Sequence, residues 1–250
     1  MRRLHLPKQL FAGVLAGMLA LMPAAAFTDT AGHWAEGAIN KWSQEYSLIQ
    51  GYEDGTFRPD DSITRGAFAG IMGRFMKFQE TSPAQTFSDT AGTYWESAIL
   101  KLHAAGVYLG NDGKALPSDT ITRQQAVTMI ARAFDITGSD TAALPYGDEA
   151  LIADYARGAV AEMSARGYIT DSWNGDLRPT DPITRPEIVN IFSNMVQTLI
   201  QDSGTHTGDV NGTVMVNASG SVSLENMKIS GDLILAQGVT GPVTLTNVTI

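Results

Sequence analysis

Arg65, Arg123 and Arg185 share one local setting. Each closes an Ile-Thr-Arg triplet and precedes apolar residues at helical spacing. Threonine is a good N-cap, so each arginine is predicted to hold the first position of a helix. A cation there opposes the helix macrodipole, which favours negative charge at that end. The same unfavourable choice made three times points to an anion at each site. One source is a bound ligand, held by guanidinium forks and by helix N–H groups left free at the terminus. The other is an acid of a neighbouring copy, for which Asp29, Asp89 and Asp148 are candidates. These aspartates also suit turn or capping roles. Trp34, Tyr94 and Tyr155 stand where amphipathic helices are predicted to start, placed either in the core or on the surface for stacking.

Other chemistries find little support. There is no cysteine, which excludes disulfides, thiolate metal sites and cysteine nucleophiles. His5, His33, His103 and His206 are too scattered for a metal motif, and no cofactor is expected. No carboxylate pair, Gly-x-Ser-x-Gly elbow or phosphate loop points to catalysis. The formal net charge is −9. The first 26 residues hold three basic residues and no acid, so their removal takes it to −12. That balance argues against nucleic acid and against polybasic membrane attachment.

The elements that must position these residues come as repeats. Phe27-Thr28-Asp29-Thr30-Ala31-Gly32 recurs as Phe87-Ser88-Asp89-Thr90-Ala91-Gly92. A glycine- and Asx-rich loop precedes each Ile-Thr-Arg triplet: residues 51–59, 110–117 and 171–179. Each copy reads as helix, loop, helix. The first helices carry Ile39 and Trp42, Ile99 and Leu102, Val160 and Met163. The second carry Phe68, Ile71, Met72 and Phe75 in copy one, and Ile188, Ile191, Phe192 and Met195 in copy three. Thr93 with Glu96 is a predicted capping box, and Asp154 a predicted N-cap. One copy alone buries too little, so three are expected to share a core.

The ends differ. Arg2, Arg3 and Lys8, an apolar run over 10–22 and Ala24-Ala25-Ala26 predict an export signal over 1–26, followed by a mature chain with no membrane span. Residues 201–209 read as a linker. Beyond it, Gly212-Thr213-Val214-Met215-Val216 is echoed by Gly231-Asp232-Leu233-Ile234-Leu235, and the 222–229 stretch by 243–250. Short β-branched strands at that period suggest β-solenoid rungs, with an antiparallel hairpin pair as the other arrangement. The pattern is expected to continue past Ile250.

In combination, the Phe-Ser/Thr-Asp openings, His33-Trp34-Ala35, Gly51-Tyr52-Glu53-Asp54-Gly55-Thr56-Phe57-Arg58-Pro59 and the Ile-Thr-Arg triplets closely resemble three tandem S-layer homology domains. The resemblance implies a mainly α fold, with three helix-loop-helix motifs in a pseudo-threefold bundle. The copies would span 27–84, 85–143 and 144–200, followed by a β-solenoid-like segment over 210–250. It implies no enzyme but a surface-located anchor. Its inter-motif grooves would bind secondary cell-wall polysaccharide, associated with peptidoglycan, typically at a pyruvylated sugar. The groove candidates are Asp29, Trp34, Arg65, Asp89, Tyr94, Arg123, Asp148, Tyr155 and Arg185. The other function class is a wall-anchored polysaccharide-active enzyme with catalysis beyond Ile250. The family usually reads Thr-Arg-Ala-Glu, whose acid is the third helical residue and caps the threonine N–H. Here that residue is Ala67, Gln125 or Glu187. Gln125 can still serve and Ala67 cannot, so the grooves are expected to differ.

Overall fold

The computed structural model describes residues 27–139, 143–170 and 174–250. The predicted export signal lies outside the described residues, as do 171–173 of the third loop. Each copy forms two helices. Copy one has α1 (Glu36–Ile39), which continues as a wider π-helical stretch over Asn40–Glu45, and α2 (Arg65–Met76). Copy two has α3 (Glu96–Ala104) and α4 (Arg123–Ala133), and copy three α5 (Asp154–Ala165) and α6 (Arg185–Met195). The three arginines do stand first in their helices. The predicted Thr93–Glu96 box does not form. Glu96 instead accepts the Gly92 N–H at 2.9 Å, as Glu36 accepts that of Gly32. Asp154 is the first helical residue rather than the cap, which is Ala153.

Packing runs between copies. α2 lies on α3, α4 on α5, and α6 on α1, so the third copy closes back on the first. The Ile-Thr-Arg triplets meet at the centre. Ile121 N–H donates to Ile63 C=O, Ile183 to Ile121 and Ile63 to Ile183, at 3.0–3.2 Å. All three isoleucines are buried, each worth about 1.5–3 kcal/mol in transfer from water. A closed ring of backbone bonds with apolar side chains around it ties the three copies together. Trp42, Phe75 and Phe192 fill the interior, Phe75 and Phe192 with ring centres 4.4 Å apart. The Trp42 indole N–H reaches Ser193 Oγ at 2.7 Å, so its one polar atom is satisfied.

The C-terminal part consists of six strands: β1 (Thr198–Ile200), β2 (Gly204–Thr207), β3 (Val214–Val216), β4 (Val222–Lys228), β5 (Leu233–Leu235) and β6 (Val243–Thr249). They form two parallel sheets, ordered β1-β3-β5 and β2-β4-β6. Parallel neighbours need a crossover, and here each crossover is a strand of the other sheet. The chain therefore coils, and no antiparallel hairpin pair forms. Between the sheets lie Ile200, Val214, Val216, Ala218, Val222, Leu224, Met227 and Ile229. Asn226 and Asn247 stack in register, both with positive φ, and Asn247 Nδ2 donates a hydrogen bond to Asn226 Oδ1 at 2.8 Å.

The stretch read as a linker, 201–209, holds strand β2, and copy three runs directly into β1. The two parts also share a core, since Leu199, Met215 and Ala236 pack into the helical interior. Buried Asn217 donates to the Phe75 C=O, and its own C=O accepts from Lys77 Nζ at 2.9 Å. Lys41 Nζ caps the Val196 C=O at the end of α6.

Candidate functional site

The first two N–H groups of α2 and α4 are not free. Arg65 and Gly66 donate to the Asp119 and Pro117 carbonyls, and Arg123 and Gln124 to those of Asp181 and Pro179, at 2.8–2.9 Å. Arg185 N–H donates to Asp61 C=O at 3.4 Å, and Pro186 has no N–H to offer. These contacts come from the loop of the following copy. They remove the helix-terminus amides from the list of anion donors and leave that role to the side chains.

The three aspartates occupy a different place from the arginines. Asp29 accepts the N–H groups of Phe57 and Arg58 at 2.8 and 2.7 Å, and Asp89 those of Ala115 and Leu116, both at 2.8 Å. Asp148 accepts those of Leu177 and Arg178 at 2.9 and 2.7 Å. The second residue of each pair has positive φ, 55–57°, a conformation that turns successive N–H groups toward one acceptor and is costly for a non-glycine residue. Each aspartate thus clamps its copy's loop. Desolvation raises the Asp29 and Asp89 pKa values, but the backbone bonds outweigh it and hold both below the ordinary carboxylate range. The neighbouring-copy pairing proposed for the arginines is not made by these acids.

The aromatics are on the surface: Trp34 is 64% exposed, Tyr94 87% and Tyr155 52%. The following residue turns inward instead, as buried Ala35 and Ala156 and partly buried Trp95.

Each helix–helix junction between copies forms a groove. At α4/α5 a cavity of about 460 Å³ is lined by Arg65 of copy one, Gln125, Thr128 and Arg132 of copy two, and Tyr155 of copy three. Arg65 Nε donates to the Ala115 C=O at 2.9 Å and Nη1 to Gln125 Oε1 at 3.3 Å, with the guanidinium 4.9 Å from the Tyr108 ring centre. Gln125 Oε1 also accepts the Thr122 N–H at 3.1 Å. Burial pushes the Tyr155 hydroxyl pKa up, opposed by the charges of Arg65 and Arg132. Two cations and a phenol therefore face one another here.

At α6/α1 a cavity of about 530 Å³ is lined by Trp34, Arg123, Glu187 and Asn190. Arg123 is 6% exposed, and its Nη2 pairs with Glu187 Oε1. Glu187 Oε2 accepts the Thr184 N–H at 2.7 Å. Arg123 Nη1 is buried with no partner among the described residues.

The α2/α3 junction is built differently. Trp95 lies against Gly66 and Gly70, where a Cβ would come within 2.3–2.4 Å of the indole. A cavity of about 810 Å³ runs past it, lined by Arg74, Lys101 and Tyr94. Arg185 is outside that lining. It donates to the Gln50 C=O at 2.6 Å, lies 4.4 Å from the Phe57 ring centre and is 9% exposed. Its Nε is buried without a partner among the described residues, and burial lowers its pKa.

The structure thus brings Arg65 to Tyr155 and Arg123 to Trp34, and leaves Tyr94 with Arg74 rather than Arg185. Arg74, Trp95, Gln125 and Arg132 were missed as groove residues. For Trp95 a signal existed: two glycines in α2 face a tryptophan, where the other junctions pair larger residues with alanine.

The sequence model for the S-layer homology domain matches residues 26–69, 86–127 and 145–188, more than half of the chain. The chain belongs to the S-layer homology domain family. The three matched stretches of the S-layer homology chain each end a few residues inside α2, α4 and α6, just past the arginines that open those helices. Amylopullulanase of Thermoanaerobacterium thermosulfurigenes is 25% identical over 176 residues, covering 68% of this chain and 9% of that protein. S-layer protein EA1 of Bacillus anthracis is 34% identical over 131 residues, 50% of this chain and 15% of the relative. A cellulosome-anchoring protein of Acetivibrio thermocellus is 34% identical over 122 residues, 46% and 27% respectively. The chain therefore spans under a third of each relative's length. No helix among the described residues is long and apolar enough to cross a membrane.

Proposed function

We propose that this cell-surface chain anchors itself non-covalently to the bacterial cell wall by binding an acidic secondary wall polysaccharide in the grooves between its copies. The observation that carries the reading is the α4/α5 groove, where Arg65, Arg132, Gln125 and Tyr155 from three copies face one cavity. A planar guanidinium donates paired, charge-assisted hydrogen bonds to a carboxylate, and an exposed phenol ring offers a face to a sugar. A pyruvyl ketal, a carboxylate fixed on a pyranose ring, fits both. Local cationic pockets account for acidic-ligand binding by a chain of formal net charge −9. Surface location and anchoring are supported by family membership and by relatives named as S-layer and cellulosome-anchoring proteins. We read the three copies as a pseudo-threefold bundle and the two-sheet coil as a short β-solenoid, a rigid mount between the anchor and whatever it displays. The stretch is a binding module and carries no reaction of its own.

Arg65→Lys tests this. Lysine keeps the charge and loses the fork, so wall-polymer affinity should fall more than about tenfold with little change in melting temperature. Parent-like affinity in both Arg65→Lys and Arg65→Ala would show that the guanidinium is not the anion site.

A further inference from the structure

The α2/α3 junction reverses the residue sizes found at the other two. Gln124 and Thr128 on α4 are matched with Ala156 on α5, and Pro186 and Asn190 on α6 with Ala35 before α1. On α2 the same two positions are Gly66 and Gly70, and the residue opposite is Trp95, whose ring stands 2.3–2.4 Å from where a Cβ of either glycine would lie. The indole fills the inner end of the junction, and the open space begins beyond it. From α2 the cavity of about 810 Å³ takes in Gly70, Gly73 and Arg74. That is roughly one turn further along than Gln125 to Arg132 in the α4/α5 groove. The cations have moved the same way. Arg185, the counterpart of Arg65, is held outside by the Gln50 C=O and by the Tyr52 and Phe57 rings, 5.2 and 4.4 Å from its guanidinium. Ala67 offers it no side-chain acceptor, whereas Gln125 and Glu187 each bond the arginine of their own groove. In its stead Lys101 lines the cavity, where copy three has Glu162. Arg74 is half-buried, and its Nε donates to the Leu48 C=O at 2.7 Å. That bond fixes the guanidinium and leaves its Nη groups to a ligand. Among the described residues no carboxylate pairs with Arg74 or Lys101. Burial lowers the Arg74 pKa, opposed by Tyr94 and by no acid. The one lining acid is Glu45, and the third lining cation, Lys77, bonds the Asn217 C=O.

We propose that the α2/α3 junction carries a relocated anion site. Trp95 plugs its inner end and cuts off Arg185, and Arg74 with Lys101 holds the acidic group of the wall glycan further out. The site rests on the acidic-polymer reading above. Its aromatic wall is Trp95 with Tyr94 edge-on to it, ring centres 4.5 Å apart and planes at 89°. Tyr94 is 87% exposed and offers its ring to a sugar. A charge-assisted hydrogen bond is worth about ten- to a hundredfold in affinity, so loss of either cation should be measurable by itself.

The test uses the full chain, labelled with nitrogen-15, and two synthetic probes: a methyl hexopyranoside 4,6-pyruvyl ketal and its uncharged methyl ester. The Trp95 indole N–H signal, assigned by its loss in Trp95→Phe, reports this junction alone. The acid probe should shift it saturably and the ester should not. Lys101→Gln and Arg74→Gln should each weaken that titration about tenfold or more. Lys101 makes no side-chain bond among the described residues, so Lys101→Gln leaves the fold intact. Arg185→Lys, which keeps a donor for the Gln50 C=O, and Arg65→Ala should both titrate at Trp95 like the parent. Three results overturn the proposal while leaving the α4/α5 groove in place. The first is folded Lys101→Gln and Arg74→Gln proteins that titrate like the parent. The second is a folded Arg185→Lys protein that loses the Trp95 shift. The third is a parent chain that binds the acid through Arg65 with Trp95 unmoved. A parent chain that binds no acid probe overturns the groove reading itself, and this proposal with it.

Discussion

Replacing Asp89 by asparagine removes one of two backbone clamps on the second loop. The carboxylate accepts the Ala115 and Leu116 N–H groups, both at 2.8 Å, and Leu116 is held at φ 57°. Asparagine keeps one acceptor oxygen and turns an NH₂ toward the other donor. One charge-assisted bond is lost, worth about 1.5–3 kcal/mol, and the stranded N–H belongs to the loop that also supplies the Pro117 and Asp119 carbonyls to the first turn of α2. For a unit of this size each kcal/mol moves the melting temperature by about 2–4 °C, so a loss of roughly 3–12 °C is expected at neutral pH. The pH dependence has a definite sign. The folded pKa is lowered, because the backbone bonds outweigh desolvation, so the stabilisation is complete above the unfolded value near 4. It fades as pH falls through the folded value. In differential scanning calorimetry the gap between parent and variant should therefore close below about pH 4. Asp112→Asn is the control. Its residue is exposed at the same loop's tip with φ 48°, which asparagine tolerates, and it should change stability by less than about 0.5 kcal/mol. An Asp89→Asn protein that melts with the parent at pH 7, or a gap of the same size at pH 3 and pH 7, would refute the clamp.

Gly70→Ala would ordinarily favour a helix by up to about 1 kcal/mol. Here the new methyl meets the Trp95 ring at 2.4 Å, and a net loss of about 1–3 kcal/mol is expected in urea melts. A stabilised variant would show that Trp95 does not pack there. In limited proteolysis with a glutamate-specific protease, cleavage should come first after Glu80, in the mostly exposed 79–85 segment. The 201–209 stretch should resist a broad-specificity protease because it contributes β2 to a sheet. Early cuts between Gln201 and Gly208 would contradict the shared core.

The helix-loop-helix copies were legible because their landmarks repeat three times and each second helix carries its apolar stripe. The arginines' place at the first helical position was legible from one N-cap threonine. How the copies interlock was not, because α2 packs on α3 rather than α1, and no local pattern encodes that choice. The free helix amides expected at the arginines were wrong for the same reason, since their acceptors are carbonyls of another copy, distant in sequence, such as Asp119 for Arg65 and Asp61 for Arg185. The aspartate clamps span 26–30 residues. Their only sequence trace is an acid at each copy's opening, which a simple turn would also explain. Residues 201–209 looked like a linker because Gly204, Gly208 and the polar residues between them lack the apolar alternation of a strand. Parallel pairing with β4 supplies the hydrogen bonds that local composition does not demand.

The central claim is that the chain holds the wall through an acidic polymer rather than through peptidoglycan. Co-sedimentation of the full chain with purified walls of the source organism, before and after acid extraction of the non-peptidoglycan polymer, tests it directly. The account predicts retention on intact walls, loss on extracted walls, and competition by the released polymer. Equal retention on extracted walls would contradict it.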